Sequence, residues 1–294
     1  MAGSKFAYVR KFELPDVLLP STFMVFRLDG HSFHRFSDEH GFVKPNDLRA
    51  LQLMDHAAKS LMEEYKDIGL AFGESDEYSF LLRKSTALYN RRQAKIVSTL
   101  TSLFTSCYVF HWPRYFPDVP LRYPPSFDGR IVLYPSEQEV RDYFAWRQAD
   151  THINNLYNTA FWALVQQGGL TTTDAHAVLR GTVSKDKHEI LFSRFGVNYD
   201  KLDPRYRKGS VFVRAEVPSY VSAFSAVSYM TAQTAEEPVD ELSIKTDAAS
   251  TQADVSGEAL KKKKKGKVAT QLELLHCDII RDDFWEKYGH ILRE

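Results

Sequence analysis

The first 135 residues alternate β-prone and helix-periodic runs in the order β-α-β-β-α-β, and that order leaves few ways to fold. Residues 22–28 are mostly apolar and β-prone, which predicts a buried strand. Asn46 or Asp47, behind Pro45, caps a helix in which Leu48, Leu51, Met54, Ala58, Leu61 and Tyr65 recur at helical spacing. IGLAFG reads as a strand, ESDE as a turn and YSFLLRK as the returning strand. A second helix is expected over residues 90–110, with Ala94, Val97, Leu100, Phe104 and Cys107 on one face. RIVLY, residues 130–134, supplies a fourth strand. The expectation is an α+β fold built on a ferredoxin-like βαββαβ unit, with a mostly helical C-terminal half added to it.

In that second half Ser136 and Glu139 form a capping box, and helical periodicity continues towards Gly168-Gly169. Shorter helices are expected at 173–180 and 185–195, and an added strand at 210–217. Residues 231–268 turn to Ala, Thr, Ser, Asp and Glu and end in KKKKKGK, the composition of a disordered linker. The lysine run at 261–265 reads as a solvated charge cluster, an RNA contact or a nuclear signal. Apolar pattern returns over 269–294, a segment expected to dock back. The expected domains are therefore a catalytic domain at 1–135, a helical region at 136–230, the linker at 231–268 and the docking segment at 269–294.

Formal net charge is zero, so overall basicity does not argue for nucleic acid, although a basic face can hide in balanced totals. The two cysteines, Cys107 and Cys277, form no C-x-x-C pair; a disulfide framework and a structural zinc are not expected. No apolar run reaches membrane-spanning length and no secretory leader is visible, so the expected location is cytoplasmic, nuclear or both, with no membrane partner.

In the βαββαβ topology the first and third strands are antiparallel neighbours, so the end of one lies beside the start of the other. Asp29 ends the first; Asp76 and Glu77 begin the third. Carboxylates brought together this way repel unless cations sit between them. Mg2+ suits a few carboxylates plus phosphate oxygens and water, and Gly30 can bring its carbonyl to the same ion. The amides after Gly30, with Ser32, His34 and Ser75, are placed to hold a triphosphate. Taken singly, Asp-Gly is a turn signal and ESDE an acidic hairpin tip. Zinc at His31 and His34 lacks suitably spaced partners.

SKFAYVRKFE, RLDGHSFHRF, KPND, FGESDEYSF, FDGR, DTHINNLYNT, GTVSKDKHEILF, GVNY and YRKGS, in that order, resemble the tRNA-histidine guanylyltransferase family from residue 4 to about 215. The resemblance implies a polymerase-type palm that adds guanylate at position −1 of tRNA-His. ATP adenylates the tRNA 5′-phosphate, the GTP 3′-hydroxyl displaces AMP, and pyrophosphate is removed. It implies two Mg2+ ions on Asp29, the Gly30 carbonyl and Asp76. Nucleotide binding falls on Asp29, Gly30, His31, Ser32, Phe33, His34, Ser75 and Asp76, with Arg27, Arg92, Lys95 and Arg130 for triphosphate or the tRNA end. Glu77 and Lys44 support the chemistry; His152, Asn155 and Lys187 handle the tRNA. A homotetramer is implied. His31 and Asp200 stand where the family favours Arg or Lys and Asn.

The helix carrying Arg92 and Lys95 starts at the sheet end far from the acids, so a catalytic role for them calls for a site shared with a second subunit. Two alternatives share these features: a palm-type nucleotide cyclase, and a non-catalytic tRNA-binding protein.

Overall fold

A computed structural model of the chain describes residues 4–216 and 270–293. The chain divides into two units, Met1–Arg214 with Leu272–Glu294, and Ala215–Gln271. The second falls almost wholly outside the described residues, as do the expected linker 231–268 and its lysine run.

Six strands form one sheet: β1 (Phe23–Gly30), β2 (Ile68–Glu74), β3 (Glu77–Leu82), β4 (Phe127–Tyr134), β5 (Ser210–Glu216) and β6 (Thr270–Leu275). Their order is β4-β1-β3-β2-β5-β6. β1 is antiparallel to β3 and β4, and β2 is antiparallel to β3 and β5. The adjacency expected of the first and third strands is therefore present. The fold is α+β, with helices α1 (Phe33–Glu39), α2 (Leu48–Glu64), α3 (Gln93–Tyr115), α4 (Glu137–Gln166), α5 (Thr172–Leu179), α6 (Ser184–Phe195), α7 (Pro204–Lys208) and α8 (Asp282–Tyr288).

Side chains alternate across a strand, and β1 uses both faces. Met24, Phe26 and Leu28 enter a core with α2 and α3. Phe23 and Val25 enter a second core with Val140, Tyr143 and Phe144 of α4 and with Phe284 and Trp285 of α8. Burial on both faces is why the strand reads as a continuous apolar run. A third core joins the C-terminal half of α4 to α5 and α6 through Leu156, Ala160, Leu179 and Leu191. Asp47 caps α2, its carboxylate accepting from the Arg49 amide at 3.0 Å. Ser136 and Glu139 make the capping box of α4.

Three elements differ from expectation. The stretch after Gly30 forms a short helix absent from the expected β-α-β-β-α-β order: Phe33 and Phe36, three apart, stack at 4.9 Å and pack on Tyr108 and Trp112. α3 runs five residues further than expected, from Gln93 through Pro113 to Tyr115. Its buried stripe is Ile96, Leu100, Phe104, Tyr108 and Trp112, a strict four-residue ridge that puts the large rings inward; Ala94 is exposed, and Val97 and Cys107 are half-buried. β4 begins at Phe127 because it pairs along the whole of β1, from Phe23↔Tyr134 to Gly30↔Phe127.

Candidate active site

The β2–β3 hairpin closes on two residues, Ser75 and Asp76, with Glu74 and Glu77 paired across its last rung. Ser75 takes a left-handed backbone, φ +51°, which swings Asp76 towards β1. The Gly30 amide donates to the Asp76 carbonyl at 3.1 Å, and Asp29 is registered opposite Glu77. Four acids, Asp29, Glu74, Asp76 and Glu77, thus converge on one sheet edge. Packing requires glycine at position 30: a Cβ there would lie 2.4 Å from the Phe33 ring.

Two arginines divide these acids into two kinds. Arg27 Nη2 lies 3.3 Å from Asp29 and also pairs with Glu77. Arg147 of α4 is only 5% exposed. Its Nη2 donates to Glu77 at 3.0 Å and to Asp150 at 3.1 Å, and sits 3.9 Å from Glu74. Its Nε is 2.7 Å from Glu77, oriented for an ion pair rather than a hydrogen bond. Thr151 donates to Glu74 at 2.7 Å. Burial pushes the Glu74 carboxyl up to about 7 even so, against the pull of Thr151 and Arg147. Burial also raises Glu77 against both arginines. Glu74 and Glu77 are thus engaged by α4 and Arg27. Asp76 is raised by burial first, with repulsion from Asp29 adding to it and the Ser75 hydroxyl opposing. Asp76, which neither arginine meets, lines the same cavity as Asp29, which Arg27 meets at 3.3 Å.

That cavity has a volume of about 790 Å³ and lies between the sheet edge and α4. Of the residues singled out in the sequence, Arg27, Asp29, Phe33, His34, Lys44, Ser75, Asp76, Glu77 and Asn155 line it. Lys44 is held by Ser37 at 2.9 Å and Asp38 at 3.0 Å. The Phe33 side chain is core, so only its backbone is available to a phosphate. Asn155 is buried: it accepts from Asn46 at 2.9 Å and donates to Tyr199 at 3.0 Å.

The others lie elsewhere among the described residues. His31 and Ser32 are exposed beside the cavity lining. Arg130 is on β4, bonded to Asp128 at 2.8 Å. His152 packs against Tyr199 and His188, and burial, with His188 adding, lowers its pKa. Lys187 donates to the Thr182 carbonyl at 2.9 Å. Arg92 pairs with Asp16 at 3.0 Å and lines a separate hollow with Arg10 and Lys11; Lys95 is exposed one turn on.

The sequence reading missed Glu74, Arg147 and Thr151, and also Asp55 on the cavity wall, which accepts from Tyr78 at 2.8 Å and pairs with Arg205. The available signal was the charged stretch WRQADT, inside a helix whose neighbours are apolar.

A sequence model described as tRNAHis guanylyltransferase matches residues 6–135, and one described as the Thg1 C terminal domain matches residues 138–281. The chain belongs to the tRNAHis guanylyltransferase family. A "Probable tRNA(His) guanylyltransferase" of Mus musculus is 49% identical over 100% of this chain and 90% of its own length. The "tRNA(His) guanylyltransferase" of Schizosaccharomyces pombe is 48% identical over 97% of this chain and 96% of its own. The crystal structure of the Saccharomyces cerevisiae enzyme matches with a TM-score of 0.69 at 48% identity, covering 74% of this chain and 99% of that one. A bacterial Thg1-like protein in complex with ATP shares the fold, with a TM-score of 0.58 at 23% identity, over 71% of this chain and 84% of its own. Members of the guanylyltransferase family are nucleotidyltransferases, and the acid edge just described lies within the first matched segment.

Proposed function

We propose that the chain adds guanylate to the 5′ end of tRNA-His, at position −1. The observation that carries this reading is that Asp29 and Asp76 line one cavity large enough for a nucleotide, in a chain of this family. On this reading the described part of residues 1–135 forms a ferredoxin-like, polymerase-type palm, and α4 to α7 form a helical region packed on it.

The donor set fits Mg2+. Asp76 is a desolvated carboxyl repelled by Asp29, so a cation between them relieves both effects. Among the described residues no three His, Cys, Asp or Glu form a protein cage, and two carboxylates with the Gly30 carbonyl suit an ion that keeps phosphate and water ligands. Asp29, Gly30 and Asp76 would hold Mg2+, which would lower the pKa of an attacking hydroxyl and offset charge on a leaving group.

The reaction has three steps. An oxygen of the tRNA 5′-phosphate attacks the α-phosphorus of ATP, and pyrophosphate leaves. The GTP 3′-hydroxyl attacks the tRNA 5′-phosphorus, losing its proton, and AMP leaves. Water then splits pyrophosphate from the new 5′ end. Arg27 and Arg147 hold the acid edge rigid, since each spans at least two carboxylates. Ser75, His34 and Lys44 face the nucleotide from the cavity wall. Arg92 and Lys95, remote from this cavity, serve a site completed by a second copy, in keeping with a tetramer.

The test incubates 5′-phosphorylated tRNA-His with ATP, labelled GTP and Mg2+. The expected product is a tRNA one nucleotide longer at its 5′ end. A cyclic nucleotide formed without RNA, or binding without any transfer, would replace this reading with a cyclase or a tRNA-binding protein.

A further inference from the structure

The block HINNLYN mixes two kinds of asparagine, and the phase of α4 separates them. Asn155 is buried, with both ends of its amide used by Asn46 and Tyr199. Asn154 and Asn158 lie one turn apart towards the solvent side of the same cavity wall, exposed, with no hydrogen bond among the described residues. Each open amide presents a donor beside an acceptor, the pairing that reads a base edge.

Aromatic rings flank these amides on the same wall. Trp146 is 54% exposed, and the Arg147 guanidinium covers one of its faces at 4.5 Å. Tyr157 is fixed by its hydroxyl contact to His176 Nδ1 at 2.7 Å and by stacking on Phe161 at 6.3 Å. Lys187 Nζ lies 5.9 Å from the Tyr157 ring, and Lys44 Nζ lies 6.0 Å from that of Trp162. Trp146, Asn154 and Asn158 belong to none of the three cores. An exposed ring held on one face, as Trp146 is, with open amides and cations alongside, is the kind of element that binds unpaired nucleotides.

Length identifies the ligand. Trp146 to Asn158 spans about 18 Å at a rise of 1.5 Å per residue. At roughly 3.4 Å per stacked nucleotide that is room for several bases, more than ATP or GTP can fill. The stripe begins at Trp146, next to Arg147, which clamps the acid edge. We infer that this stripe of α4, Trp146, Asn154, Tyr157 and Asn158, binds the unpaired 3′ nucleotides of a tRNA whose 5′ end sits at the acids. The inference rests on the proposed guanylate addition for its choice of RNA.

Two measurements test it. In the first, guanylate addition is followed on tRNA-His with its full unpaired 3′ segment and on the same tRNA lacking that segment. Truncation is expected to raise the parent KM about tenfold or more, as loss of base contacts should. An Asn154→Ala/Asn158→Ala variant should show the raised KM on full-length tRNA, no further rise on the truncated one, and an unchanged KM for ATP. Equal KM values for the two tRNAs with the parent, or equal losses for the variant on both, overturn the inference. The second measurement needs no turnover: tryptophan fluorescence titrated with a single-stranded RNA pentamer. The parent should bind, and the double variant should bind about tenfold more weakly with an unchanged Tm. Equal binding by both overturns the inference even if no guanylate addition is found, and absence of guanylate addition by the parent counts against the proposed function alone.

Discussion

Arg147→Met tests whether α4 holds the acid edge through charge rather than bulk. The substitution keeps most of the apolar stem and removes the guanidinium. In the parent that group meets Glu77 through two nitrogens, Asp150 at 3.1 Å and Glu74 at 3.9 Å while only 5% exposed. Breaking a buried pair from one side typically costs about 3–5 kcal/mol. Two features reduce the figure here. Arg27 still answers Glu77, and Glu74 already holds its proton up to about 7, so part of the stranded charge can neutralise itself. Asp150 is more exposed and adds well under ~1 kcal/mol. The expected loss is about 3 kcal/mol, or roughly 6–12 °C in Tm for a chain of this size class. The assay is urea unfolding at pH 8 and pH 6, with guanylate addition followed well below the transition. The deficit should shrink at pH 6, where the stranded carboxyls take up protons, and Arg147→Met/Glu77→Gln should recover part of it. A variant within ~1 kcal/mol of the parent at pH 8, or a double variant worse than the single, would refute the reasoning.

Other outcomes follow from the same geometry. Asp29→Ala and Asp76→Ala should each abolish nucleotide transfer while stability holds or rises, because each removes one of two repelling carboxylates; circular dichroism melts alongside the transfer assay check both halves. Gly30→Ala should cost about 1–3 kcal/mol in denaturant unfolding, since its Cβ meets a Phe33 ring packed among Phe36, Tyr108 and Phe127. Asp55→Ala should cost about 3–5 kcal/mol by the same measurement, because it strands Arg205 and the buried Tyr78 hydroxyl. Burial lowers the pKa of both His56 and His152, so below the ordinary value of 6.5 the unfolded chain takes up protons first and stability falls as pH drops. Glu74, its carboxyl pushed up to about 7, acts in the opposite sense over this range, so the outcome is a difference: His56→Gln/His152→Gln should lose less Tm than the parent between pH 7 and pH 5.

What the sequence made legible was local in origin or fixed by topology. Asp47 and the Ser136–Glu139 box announce themselves within four residues. The meeting of Asp29 with Asp76 and Glu77 needed only the strand order. Arg147 and Glu77 are 70 positions apart, and no spacing rule joins a helix residue to a hairpin so far away. Asn154, Asn155 and Asn158 could not be told apart because their roles depend on which side of α4 meets Tyr199. α1 is too short for periodicity to register, and only its ring contacts reveal why it is helical. Pro113 signals an end that α3 ignores, with Trp112 buried and its indole N–H donating to Val119 at 2.7 Å.

α4 is 30 residues long and joins the second core at one end to the third at the other, with the acid clamp and the open asparagines between them. Inserting one residue into a helix turns everything beyond it by about 100°. Between Arg147 and Asn154 such an insertion would turn the open amides away from the cavity and break the third core in the same stroke. This helix is a gauge of fixed pitch. A change in its length that keeps both ends in phase must come close to whole turns.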